Sequence, residues 1–315
     1  MSTNKPFIVG VGFEDISDIA ATLAAARALD ASGVDFLTFG DSWRAQDASL
    51  VASFISAQTR QIGLVPTLTT THTEPFHVAT ATATLDYTGR ARAGWRPVPS
   101  LETEVAAAFG RREAPQAQSA WAETSQVIDT VRALWDSWEA DAEIRDARTG
   151  RFIDRSKLHY VDAQLTDSAG QPYSVKGPSI VPNPPQGHPP VFIYADNEHA
   201  LDIGLASAEV ILLPVAGADS EVSLPETSAK IYPSIEVPAD ATATWFRDTV
   251  RVLIDAGLPG VHFRVGAGVD EAQNNLKTLV ADIVDSAGAY GTHRQGLSLR
   301  DRLGLAAVNN QFVWS

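Results

Sequence analysis

The chain has no cysteine in its 315 residues. That removes disulfides, thiolate metal sites and cysteine nucleophiles together. No apolar run approaches the roughly 18–20 residues needed to cross a bilayer. The opening MSTNKPFIVGVG holds one lysine and a short apolar run broken by glycines, so it reads as a first strand rather than a signal peptide. With the absence of cysteine, this predicts a cytoplasmic location. Positive charge is scarce: 24 Lys and Arg face 38 Asp and Glu, a net charge of −14. The longest basic run is Arg111-Arg112. A nucleic-acid binder needs a basic face, so neither nucleic acid nor an anionic membrane is an expected partner. An anionic ligand would need local cations or helix N-termini to offset the overall field. Several motifs are also missing. There is no HExxH, GxSxG, P-loop or paired HxH, and GVG at 10–12 lacks the third glycine of a dinucleotide fingerprint.

What is present is alternation. Strand-like runs occur at 7–12, 34–40, 62–67, 91–98, 191–195, 209–215, 231–237 and 260–266. Apolar residues at helical spacing mark 16–32, 119–138, 241–256 and 269–287, whereas 216–230 carries no such pattern. Eight strands alternating with helices predict a (β/α)8 TIM barrel as one domain over 1–315, with a doubly wound sheet as the alternative. Residues 139–189 break the rhythm and crowd prolines into 178–190. They read as an insertion between helix four and strand five that covers the barrel as a lid. Residues 288–315 form a tail, with LSLRDRLGLAA as a small helix.

In such barrels chemistry sits at the C-terminal ends of the strands. Strand two ends at Asp41, strand three at Thr69, Thr70, Thr71 and His72, and strand four at Trp95 and Arg96. Strand five runs into Asp196, Asn197, Glu198 and His199. On strand eight, His262 and Arg264 alternate with apolar residues and should point inward. Each has a plainer reading. Asp41 also reads as a helix cap, the threonines as good strand residues, Trp95 as packing and Arg96 as a surface charge. Residues 196–199 suit a solvated helix N-terminus, where acids are favoured. His262 and Arg264 suit structural pairing with interior carboxylates. Asp41, Asp196, Glu198 and His199 lack the spacing of a cation loop, and no metal site is predicted.

Five segments in order resemble the flavin-dependent luciferase-like monooxygenases. The nearest branch holds the nitrilotriacetate, long-chain alkane and dibenzothiophene-sulfone enzymes. The segments are FLTFGDS (36–42), IGLVPTLTTTHTEPFHVA (62–79), LDYTGRARAGWRPVPS (85–100), LWDSWEADA (134–142) continuing into TGRF and VKGPSIVPNPPQG (175–187), and LSLRDRLGL (297–305). The resemblance implies a TIM-like barrel, usually a homodimer. It implies reduced FMN delivered by a separate flavin reductase, and O2 used to oxygenate a small organic substrate. It places Asp41 and Thr70 at the flavin, and leaves His72 or Arg96 to stabilise the reactive oxygen species or the substrate.

Other positions depart from the family. Its Trp-Asn-x-Val-Thr after strand four is Trp95-Arg96-Pro97-Val98-Pro99, and its phosphate-holding Tyr in helix four is Trp121. Its Gln-Ala-Gly-x-Ser, whose glycine and serine cradle the FMN phosphate, is Tyr194-Ala195-Asp196-Asn197-Glu198. Two carboxylates beside a phosphate dianion cost roughly a few kcal/mol per close pair at an effective dielectric near 20. Asn197, His199, Arg96 and Arg264 are the residues that can supply donors instead. The alternatives are a flavin-free paralogue acting as a partner subunit, and a barrel using a deazaflavin or a metal.

Overall fold

The computed structural model describes residues 7–220, 225–266, 281–283, 285 and 296–313. Eight strands form one parallel sheet: β1 (Ile8–Phe13), β2 (Phe36–Phe39), β3 (Gly63–Thr69), β4 (Arg96–Val98), β5 (Phe192–Tyr194), β6 (Val210–Val215), β7 (Lys230–Glu236) and β8 (Gly260–Val265). Their order is β4-β3-β2-β1-β8-β7-β6-β5. A parallel bridge between Trp95 and Val191 closes the ring. Trp95 N–H donates to the Pro190 carbonyl at 2.9 Å, and Phe192 N–H donates to the Trp95 carbonyl at 2.8 Å. All eight expected strands are present, and the doubly wound alternative falls with that closure. The fourth is shorter than 91–98 because Ala93 and Trp95 pair only through isolated bridges, to Leu64 and Val191.

The helices are α1 (Ile19–Ser32), α2 (Ala48–Ser56), α3 (Pro75–Thr88), α4 (Thr103–Phe109), α5 (Ala117–Asp136), α6 (Glu198–Ser207) and α7 (Ala243–Asp255). Asp18, Asp47, Asn197 and Thr242 cap four of them by accepting first-turn N–H groups. The predicted helix at 269–287 lies almost wholly outside the described residues. The described part of 216–230 carries no helix, as expected.

Alternation on β8 sorts its side chains. Val261 and Phe263 join the core beneath the helices, with Phe246, Val250 and Leu253 of α7. His262 points into the barrel. There its Nε2 meets Thr38 Oγ1 at 3.0 Å, its Nδ1 meets Ser234 Oγ at 2.8 Å, and its ring stacks on Phe36. A Cβ on Gly12 would lie 2.7 Å from that Nε2. The expected pairing of His262 with a carboxylate is therefore replaced by pairing with two hydroxyls. Burial first, then Arg96, pushes His262 down to about 3, so it is neutral. The other end of the barrel is stoppered from outside the ring. Leu299 and Leu303, on and just after a helical turn at Leu299–Arg302, pack with Ile8, Phe36, Val65 and Phe192.

Residues 139–189 hold two antiparallel hairpins, 143–153 and 162–176. Val161, Leu165 and Val175 pack on Val127, Ile128 and Val131 of α5. The second hairpin thus climbs the outer flank of α5, and its tip stands beside the barrel mouth. None of this segment lines the main mouth cavity. The lid expectation is narrowed to the tip at 167–173, which lines a smaller side cavity.

Candidate active site at the barrel mouth

The backbone ends of β1 and β2 come close enough that a Cβ on Gly40 would sit 2.4 Å from the Glu14 carbonyl. That approach sets Glu14 beside Asp41 at the rim of a cavity of about 550 Å³. The cavity opens over the C-terminal ends of β1 to β4, where this architecture puts its chemistry. Thr67, Leu68 and Thr69 of β3, Arg96 and Val98 of β4, and Val105 and Phe109 of α4 form much of its wall.

Arg96 is the buried cation of this wall, 7% exposed. Its Nε donates to Thr67 Oγ1 at 2.5 Å, and its two terminal nitrogens each reach a different Glu14 oxygen at 3.4 Å. Burial alone would raise Glu14. The Arg96 charge and hydrogen bonds, with smaller help from His262 and Arg264, outweigh it and hold the carboxyl below its usual range. The pair is thus internally neutralised. Tyr194 lies between Arg96 and Arg264, its ring centre 6.0 and 5.4 Å from the two guanidinium carbons. Arg264 in turn donates to Glu236 at 2.7 Å.

Asp41 is exposed at the rim and accepts one long bond, 3.3 Å, from the Ala48 N–H. Loss of solvation pushes its carboxyl up; the Ala48 bond opposes this and the neighbouring Asp47 adds to it.

The remaining predicted residues lie elsewhere. Thr70 is buried and turned away from the cavity, its hydroxyl 2.7 Å from that of Thr124 on α5. His72 sits behind Phe109, with ring centroids 4.4 Å apart and planes 6° apart. Phe109 lines the mouth cavity with Arg96, and His72 does not. His72 lines the side cavity of about 220 Å³ instead. Both its ring nitrogens are buried without a partner, and burial, then Arg112 and Arg111, lowers its pKa. Trp121 is buried in the α5 core, its indole N–H unpartnered.

Asn197 is occupied as the α6 cap. Its side-chain oxygen accepts from the Ala200 N–H at 3.0 Å, and its nitrogen donates to Asp196 at 2.7 Å. The Glu198 side chain is 85% exposed. The solvated helix N-terminus is the geometry found at 196–199.

Sequence reasoning missed Arg112 and Glu123. Arg112 donates to both oxygens of buried Glu123 at 2.9 and 3.0 Å, to the Thr71 carbonyl, and lies 3.7 Å from Asp167. It ties the end of β3, helix α5 and the hairpin tip together. The signal for it was an acidic residue on an otherwise apolar face of 119–138. Among the described residues no cluster of metal-binding side chains occurs, and no helix is long and apolar enough to cross a membrane.

Comparison with known proteins agrees with this architecture. The profile of the luciferase-like monooxygenase family matches residues 6–226. N-acetyl-S-(2-succino)cysteine monooxygenase of Bacillus subtilis (strain 168) is 31% identical over 236 residues, 75% of this chain and 49% of that protein. One of the subunits of pristinamycin IIA synthase from Streptomyces pristinaespiralis is 32% identical over 273 residues, 82% of this chain and 88% of that protein. The chain thus spans about half the length of the first relative and most of the second. The crystal structure of long-chain alkane monooxygenase superposes with a TM-score of 0.76 at 15% identity, covering 96% of each chain. That likeness is one of fold.

Proposed function

Because the chain belongs to the luciferase-like monooxygenase family, we propose that it is the oxygenating component of a two-component system. In this reading it takes reduced FMN from a separate flavin reductase and uses O2 to oxygenate a small organic substrate. A homodimer and a cytoplasmic location belong to the same reading. The observation that carries it is the 550 Å³ cavity over β1 to β4, where Asp41, Thr67, Thr69 and buried Arg96 face apolar Leu68 and Val98. A flat, uncharged ring system with polar edges suits such walls. Reduced flavin supplies the electrons for O2 activation. The residues of this chain orient the ring, with Arg96 held in place by Thr67 and Glu14 beside apolar Leu68 and Val98.

The phosphate end fits poorly at α6. Asn197 is spent on capping, and Asp196 and Glu198 stand where an anion would come. This favours a second reading, in which the chain is a partner subunit that binds no flavin itself. Anaerobic titration with photoreduced FMN, followed by mixing with oxygenated buffer, separates the two. Saturable binding and a slow absorbance decay after oxygen support the oxygenating component. Absence of binding at tens of micromolar flavin overturns it in favour of the partner subunit.

A further inference from the structure

The side cavity of about 220 Å³ lies between the end of β3, the start of α3 and the 167–173 tip. Its charges are settled among themselves. Arg112 holds Glu123 at 2.9 Å and lies 3.7 Å from Asp167, and Arg111 lies 3.7 Å from Glu74. Asp167 also accepts from the Ala169 and Gln171 N–H groups at 2.9 and 2.8 Å. Two hydroxyls of the lining are spent as well: Thr70 meets Thr124 at 2.7 Å, and Thr71 accepts from the Ser100 N–H at 2.9 Å. His72 is the exception. It lines the cavity, is only 7% exposed, and lays one face of its ring on Phe109, yet neither ring nitrogen has a hydrogen-bond partner. Ring stacking leaves an N–H and a nitrogen lone pair unsatisfied.

Burial first, then Arg112 and Arg111, keeps the His72 ring neutral at pH 7. One nitrogen therefore donates and the other accepts. Buried polar atoms without partners are destabilising and rare in folded proteins. A ligand group that pairs with the ring offsets that loss. An ion gains nothing comparable, because every charge in the lining already faces a counter-charge and the ion must shed its hydration. Pro75, Pro172 and Tyr173 add apolar surface. We propose that the side cavity binds a small uncharged molecule bearing a carboxamide or hydroxyl group, which pairs with the His72 ring while its body lies against Tyr173 and the two prolines. Thr73 lines both cavities, so this site adjoins the mouth without using Asp41 or Arg96. The site goes beyond the oxygenase reading and does not depend on it.

The test is NMR titration of the full chain, without flavin, following the imidazole nitrogens of its seven histidines. The probes are benzamide, benzoate and benzylammonium, which share a ring and differ in charge. The His72 signals are identified by their loss in His72→Phe, a change that keeps a ring to stack on Phe109. Benzamide should shift the His72 nitrogens saturably and bind about tenfold or more tighter than either ion, the step that one well-made polar contact supplies. His72→Phe should weaken benzamide by a similar factor, read by calorimetry. Its urea midpoint should be no lower than that of the native chain, since it removes two unsatisfied atoms from a buried position. The native-chain shift stands as a readout even if that variant fails to fold. Absence of a His72 shift up to the solubility limit of benzamide overturns the proposal. So does equal or tighter binding of benzoate or benzylammonium, and so does benzamide affinity that His72→Phe leaves unchanged, which would place the probe in another cavity.

Discussion

At the scale of single residues, the buried charges make the sharpest statements. Arg96 and Glu14 hold each other in a wall where neither is solvated well. Arg96→Ala strands a carboxylate among Thr67, His262 and Tyr194, and removing one partner of a buried pair typically costs ~3 kcal/mol or more. Urea unfolding should show that loss at pH 7. It should shrink as the pH falls, because the stranded Glu14 protonates more readily once Arg96 is gone.

Asp86 gives an opposite-signed effect. It accepts from the Ala93 N–H, the Gln186 N–H and the Gln186 side chain, yet burial dominates and pushes its carboxyl up to about 6. A raised folded pKa favours the protonated form, so its contribution is complete below about pH 4 and lost as the pH rises through about 6, a change on the order of 2–3 kcal/mol. The urea midpoint of the native chain should carry this falling component between pH 4.5 and 7, and Asp86→Asn should lack it whatever its own offset.

Asp196 and Glu198 are the two carboxylates at the N-terminus of α6. Replacing them together as Asp196→Gly and Glu198→Ser removes two carboxylates and leaves the Asn197 cap in place. Affinity for reduced FMN should rise about tenfold or more, since each close like-charge contact is of order 1 kcal/mol or above. An unchanged titration curve would mean that the phosphate goes elsewhere.

At the scale of elements, the 162–176 hairpin illustrates what pattern reading misses. Its strands show only short alternation, with Leu165 and Val175 facing α5 between exposed neighbours. Two such strands become visible only through the partner they share. Arg112 is the fastening at the tip. Arg112→Ala should release residues 167–171 and leave the side chain of Glu123, 3% exposed, without its cation. Limited proteolysis should then cut within the tip while the barrel resists, and a cut at an unchanged rate would mean that the apolar contacts of Leu165 and Val175 suffice alone.

Helices divide in the same way. The apolar stripes of α5 and α7 are clear enough to place both helices within two residues of their ends. α3, written PFHVATATATLDYT, has small alanines and threonines on every side, so no face stands out until it lies between α2 and α5.

At the scale of the whole molecule, the barrel is closed twice: around its circumference at Trp95 and Val191, and at its lower end by Leu299 and Leu303. The lower closure is tight. A Cβ on Gly63 would come within 2.5 Å of Leu299. Leu299→Ala should therefore cost ~2–4 kcal/mol, read as a lower urea midpoint with no change in the cavity at the opposite end.

The eight strands, their alternation with helices and the family followed from the sequence alone, because hydrophobic period and strand-end motifs are local and survive without knowledge of neighbours. The inward direction of His262 and Arg264 followed from the same period. The grouping of the site was decided only by tertiary structure. Thr70 and Thr69 are adjacent in sequence but point to opposite sides of the wall, one to Thr124 and the other into the cavity. His72 and Arg96, both at strand ends, line different cavities. Such separations depend on side-chain direction and on which helix packs where, and those are set by long-range contacts the chain makes only when folded.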